Sequence, residues 1–229
     1  MDRGGSQGSR IFRDRREAGR LLGAALEGKY RRPGVVVLGL PRGGVPVAFE
    51  VARTLDAPLD VLVVRKLGAP MNPELAIGAI AAGGVRVLDW DSMAYLGLDE
   101  AAIEPIAVRE QDELERRERL YRAGRAPLDL HDKTAILVDD GIATGSTMKA
   151  AVLAARAAGS DGVVVAAPTA SREACAMLSR TADAVEVLAK PEPYIAVGVW
   201  YLAFPQLTDD EVIALLTRSD PSGASAADE

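Results

Sequence analysis

A chain of 229 residues, 48% of them hydrophobic, has the material for one sizeable core without cross-links or structural metals. Its net charge of −6 excludes binding of nucleic acid or anionic membrane by bulk charge, and its single cysteine, Cys175, excludes an intramolecular disulfide framework. The N-terminal MDRGGSQGSR lacks the apolar stretch of a secretory signal, and no apolar run reaches the roughly 18–20 residues of a membrane span, so a cytoplasmic chain is expected.

Residues 1–10 and 218–229 are small and polar and are expected to be disordered, which leaves 11–217 as one domain. Ala18, Leu21, Leu22 and Ala25 fall at helical spacing, which predicts a helix over 13–26 in an arginine-rich stretch. VVVLGL at 35–40 reads as a buried strand, 45–55 as a helix and LDVLVVRKL at 59–67 as a second buried strand. Two short strands, 76–81 and 85–88, flank Gly83 and Gly84 as a hairpin. A charged helix follows over 99–122, whose REQDELERRER run reads as a solvated face laced with ion pairs. Then come a strand at 134–138, a helix at 147–158, a strand at 162–168, a helix at 171–180 and a strand at 184–188. This alternation, with strands apolar on both faces, predicts an α/β fold built on a parallel sheet.

In such sheets ligands bind beyond the carboxyl ends of the strands, and two loops stand at such places. DDGIATGST at 139–147 offers two small-residue turns at Gly141 and Gly145 and hydroxyls at Thr144, Ser146 and Thr147. It feeds directly into a helix, whose free N–H groups attract phosphate. Asp139 and Asp140 would repel phosphate, but they suit vicinal hydroxyls, which donate to carboxylates. Hydroxyls one ribose away from a phosphate describe a ribose 5-phosphate. The spacing matches neither the Walker loop nor the dinucleotide fingerprint. GLPRGGVP at 39–46 is the second loop, with Arg42 for charge and Gly43 and Gly44 for close N–H approach to an anion.

The string VDDGIATGST resembles the PRPP-binding motif of the type I phosphoribosyltransferase family. The order of elements from residue 35 to about 205 looks like that of its bacterial members. The resemblance implies a type I phosphoribosyltransferase (Rossmann-like) core, with a hood or insertion over about 66–125 and a C-terminal lid over about 190–217. It places the ribose on Asp139 and Asp140, which serve catalysis. It places the 5-phosphate on the loop of Gly141, Ile142, Ala143, Thr144, Gly145, Ser146 and Thr147. Pyrophosphate would fall to Arg42, Gly43, Gly44, Arg65 and Lys66, with Arg42 and Lys66 among the catalytic groups and a cis peptide between Pro41 and Arg42. The resemblance also implies Mg²⁺ carried by PRPP, with Glu74 a candidate ligand, and a homodimer.

Ala143 stands where 6-oxopurine-specific members carry an acidic residue, so the acceptor base stays open. Tyr194, Trp200, Tyr201 and Phe204 suit either a lid stacking a flat base or packing against the core edge. The function expected is Mg²⁺-dependent transfer of the 5-phosphoribosyl group of PRPP to a nitrogenous base with release of pyrophosphate. The rival reading is a PRPP-sensing regulator without turnover, for which the arginine-rich N-terminus is the nucleic-acid candidate. A third is a phosphate-binding nucleotide hydrolase.

Overall fold

The computed structural model describes residues 10–81, 85–123, 125 and 128–219, with the side chain of Glu74 outside that description. The expected disorder at 1–10 and 218–229 therefore lies outside the described residues, save for Arg10, Arg218 and Ser219. Five parallel strands form the central sheet: β1 (Val35–Gly39), β2 (Leu59–Val61), β6 (Thr134–Val138), β7 (Gly162–Thr169) and β8 (Ala184–Ala189), in the order β2-β1-β6-β7-β8.

Both faces of this sheet are covered, which is why its strands read as unbroken apolar runs. Val35, Val37, Ile136, Val138, Val164 and Ala166 pack toward α1 (Arg15–Tyr30) and α2 (Gly44–Leu55). The alternate residues Val36, Leu38, Ala135, Leu137, Val163 and Val165 pack toward α5 (Ser146–Ala157) and α6 (Arg172–Leu178). Helix α1 starts where Asp14 accepts the N–H of Glu17 at 2.8 Å, and it buries Ala18, Leu22 and Leu26 on its inner stripe.

Between β2 and β6 the chain builds a second sheet of three antiparallel strands, β3 (Val64–Ala69), β4 (Asn72–Ala81) and β5 (Val85–Leu88). It then adds the short helix α3 (Trp90–Leu96) and the long helix α4 (Glu100–Arg122). The strand expected over 59–67 is thus two strands in two sheets. Leu59 pairs with Val37 of β1, whereas Val64 pairs with Ala81 of β4, and the chain crosses over at the buried residues Leu62 and Val63. Burial of Leu62 and Val63 at the crossing itself keeps the run apolar there, so its sequence carries no break. The hairpin expected around Gly83 and Gly84 is the β4/β5 pair, whose turn lies outside the described residues.

A final helix, α7 (Asp209–Arg218), was not expected. A capping box opens it: the Thr208 hydroxyl accepts from Glu211 N–H at 3.2 Å, and Glu211 accepts the N–H of Thr208 at 2.8 Å. Val212 and Leu216 bury its inner face. Among the described residues no helix is long and apolar enough to cross a membrane.

Candidate active site

Strands β1 and β6 run in register, Gly39 level with Val138, and the N–H of Leu40 extends the ladder to the Val138 carbonyl at 2.9 Å. Their carboxyl ends therefore release two loops side by side. In the first, the peptide between Pro41 and Arg42 is cis, at the position the resemblance implies. Gly43 lies against Asp140 so closely that a Cβ would overlap Oδ2 of its carboxylate, an approach only glycine permits. Gly44 opens α2, and its N–H is committed to the Leu40 carbonyl at 3.0 Å. That donor is thus spent inside the loop, contrary to its expected exposure to an anion.

The second loop is stapled to the segment after β7. Ile142 N–H donates to the Thr169 carbonyl at 2.9 Å, Ser171 N–H to the Ile142 carbonyl at 2.9 Å, and the Ser171 hydroxyl to the Ala143 carbonyl at 2.7 Å. Gly145 then takes φ of +77°, the left-handed turn that directs the chain into α5 at Ser146. The hydroxyls of Thr144 and Ser146 lie 3.4 Å apart beside that helix start. The first turn of a helix leaves backbone N–H groups without intrahelical partners, and these hydroxyls stand beside that turn.

At the strand end, Asp140 N–H donates to Asp139 Oδ1 at 2.9 Å, so the two acids are neighbours in space as well as in sequence. Asp140 is buried and Asp139 partly so. Burial, together with the adjacent Asp140 charge, pushes the Asp139 carboxyl well above its ordinary range. Burial raises Asp140 as well, but Arg15 opposes the rise. Arg15 Nε lies 2.8 Å from Asp140 Oδ2, an ion pair with side chains only 10% and 12% exposed. Its Nη1 donates to the Pro205 carbonyl at 2.8 Å, and its Cζ sits 3.7 Å from the centroid of the Phe204 ring. No sequence signal marked Arg15. It sat among other arginines, and its partner is 125 positions away.

Two clefts flank the loop over 143–147. One, of about 500 Å³, is lined by Arg65, Lys66, Arg109 and Thr147 among others, so the second sheet brings cations beside the start of α5. Arg65 is held there by Glu110, with its Nε 2.7 Å from Oε2. Arg109 belongs to the run read as a solvated face. Arg42 lies elsewhere: it is exposed, and its charge reaches the Tyr121 hydroxyl, which donates to Asp209 where α4 meets α7. The other cleft, of about 530 Å³, runs between Ala143 and Thr144 on one side and Ser171, Arg172, Glu192 and Tyr194 on the other.

The aromatic C-terminal segment divides between its two readings. Trp200 and Tyr201 are buried against α1, with Tyr201 5.6 Å from Phe12 by ring centroid, so they pack. Tyr194 instead lines the second cleft. The segment forms a 3-10 turn at Val197–Trp200 and no named strand.

A model of the phosphoribosyl transferase domain matches residues 14–188. The chain belongs to the phosphoribosyl transferase family. Two Mycobacterium tuberculosis proteins, from strains CDC 1551 and H37Rv, each carry the name "Putative phosphoribosyl transferase". Each is 51% identical over 220 residues, covering 95% of this chain and 49% of theirs. The chain spans about half the length of these curated relatives. The crystal structure of TT1426 from Thermus thermophilus superposes with a TM-score of 0.84 at 46% identity, covering 90% of this chain and 97% of that one. The phosphoribosyl transferase match takes in both loops, the acid pair and the second sheet, and ends before the aromatic segment.

Proposed function

We propose that the chain is a cytoplasmic phosphoribosyltransferase of nucleotide metabolism that transfers the 5-phosphoribosyl group of PRPP to a nitrogenous base and releases pyrophosphate. The observation that carries this reading is the in-register ending of β1 and β6, which sets the LPRGG loop directly against the acid pair. Asp139 and Asp140 address the ribose hydroxyls, and residues 143–147 take the 5-phosphate. The ribose then spans the gap between them.

Charge separates the two ends of the reaction. The Arg65, Lys66 and Arg109 cleft suits the departing pyrophosphate. The cleft bounded by Tyr194, Glu192 and Arg172 mixes an aromatic wall with both signs of charge, and it suits the acceptor base. Loss of pyrophosphate leaves positive charge on the ribose carbon, so the chain's task is positioning and electrostatics.

Among the described residues no group of three or more histidine, cysteine or acidic side chains could hold a metal ion. Asp139 and Asp140 would lie beside an Mg²⁺ ion that arrived on the diphosphate, whose ligands would come chiefly from substrate oxygens and water. When bound, it neutralises charge on the leaving group. Glu74, the other candidate, has its side chain outside the described residues.

A regulator that binds nucleic acid finds less support. Among the N-terminal arginines, Arg15 is consumed by Asp140, Arg13 lies 3.1 Å from Asp14, and Arg31 lies 2.7 Å from Glu27. Calorimetric titration of PRPP with Mg²⁺ into the wild type and into Asp139→Asn/Asp140→Asn tests the site, and pyrophosphate release across a panel of bases tests turnover. Binding by the wild type alone is expected, and absence of wild-type binding at millimolar PRPP sinks the proposal.

A further inference from the structure

We propose that Arg15 is a positioning residue for the acid pair, holding the Asp140 carboxylate from the first helix while the C-terminal segment holds Arg15. This rests on the reading of Asp139 and Asp140 as the ribose-binding acids.

The guanidinium is fixed on three sides. Asp140 Oδ2 takes its Nε, the Pro205 carbonyl takes Nη1, and the Phe204 ring lies under its plane. Lysine, with one ammonium and no flat face, reproduces only the charge. Asp140 is enclosed in turn: Gly43 presses on its carboxylate, and the Tyr201 hydroxyl donates to its carbonyl at 2.5 Å.

The acids are therefore unequal. Asp140 is anchored, whereas among the described residues no cation pairs with Asp139. Two adjacent buried carboxyls hold each other's protons unless a cation intervenes, and Arg15 is that cation. Among the described residues, Tyr194 and Tyr201 are ionisable groups that also lie within electrostatic reach of the acids. Burial pushes the first to about 12 and raises the second further, so both stay neutral. With Arg15 in place Asp140 is fixed by its ion pair, and Asp139 is left to meet the ribose.

A merely structural salt bridge would stabilise the docking of α1 and leave ligand chemistry alone. The test separates the two. PRPP with Mg²⁺ is titrated calorimetrically from pH 5.5 to 8.5 into the wild type, Arg15→Met and Arg15→Lys, alongside thermal melts. The expected result is a loss of roughly tenfold in affinity for Arg15→Met, with the pH midpoint of binding moved upward because Asp140 keeps its proton longer. Arg15→Lys should restore the midpoint and recover only part of the affinity. If Arg15→Met does not fold, Arg15→Lys and Phe204→Leu carry the measurement, and each should weaken binding while still melting cooperatively. Binding that ignores Arg15, or that weakens with an unmoved midpoint and no rescue by lysine, overturns the inference alone. Absence of wild-type binding overturns the ribosyl reading and this inference with it.

Discussion

The Tyr201 hydroxyl donates to the main-chain carbonyl of Asp140 across 61 positions of sequence, at 2.5 Å and out of contact with water. The carbonyl lies at the turn from strand β6 into the phosphate loop. The bond therefore pins the acid pair from the C-terminal side, as Arg15 does from the N-terminal side.

Replacing Tyr201 with Phe leaves that buried carbonyl unpaired. Such an orphan costs about 1–3 kcal/mol, and each kcal/mol lowers the melting temperature by roughly 2–4 °C in a chain of this size. Calorimetry should show a lower Tm for Tyr201→Phe. A Tm equal to the wild type would mean that water replaces the hydroxyl at no cost.

Asp139 gives a stability prediction of opposite sign. Burial and the Asp140 charge raise its folded pKa above the unfolded value, so the folded chain binds more protons in the interval between the two. Stability then falls as pH rises through that interval, so at neutral pH, above the unfolded value, this acid burdens the free protein. Asp139→Asn removes the burden. Its Tm at pH 7.5 should rise, by an amount equivalent to about 0.5–2 kcal/mol, while PRPP binding is lost. The gain should shrink as the pH is lowered. A destabilised Asp139→Asn at pH 7.5 would refute the assignment of strain to this acid.

Lys149 and Asp89 make a third case. Lys149 Nζ, one turn into α5, lies 2.6 Å from Asp89 Oδ2, while Asp89 Oδ1 caps α3 by accepting the N–H of Ser92. This pair joins the second sheet and its helices to the helix that carries the phosphate loop. Burial pulls the Asp89 carboxyl upward, but Lys149 and Ser92 outweigh it and hold the pKa below the ordinary value. The contribution is therefore complete above the unfolded pKa of about 4 and fades as pH falls through the folded one. Lys149→Met should lose about 1 kcal/mol at pH 7 and less below pH 4. Hydrogen exchange should quicken in α3 before it does in the central sheet. Uniform quickening throughout would argue that the pair serves global stability alone.

Much of the parallel core was legible because its strands are short apolar runs broken by loops of glycine, proline and acid. VVVLGL, TAILV and GVVVAAP each stand in the central sheet. The split of LDVLVVRKL was not legible, since a chain that changes sheets while staying buried keeps its apolar pattern. Helix α7 carries a legible start. Thr208 and Glu211 have capping-box spacing before an apolar stripe, but the aromatic residues just upstream drew the segment toward a lid. The glycines of both loops announced close approach, and Gly43 shows how close. Arg15 and Arg109 could not be found, because a cation's role depends on what the fold sets opposite it. One was lost in a basic stretch and the other in an ion-paired helix face.

The enclosure of Asp140 also dictates an order of assembly. Its partners come from either side of the sheet in sequence, Arg15 before the first strand and Tyr201 after the last, and Arg15 is held in turn by the Pro205 carbonyl. A growing polypeptide has synthesised all five strands of the central sheet before these final contacts leave the ribosome. On a nascent chain the loop after β6 is therefore made while the acid pair is still unlatched, and its latch arrives only with the segment that precedes α7.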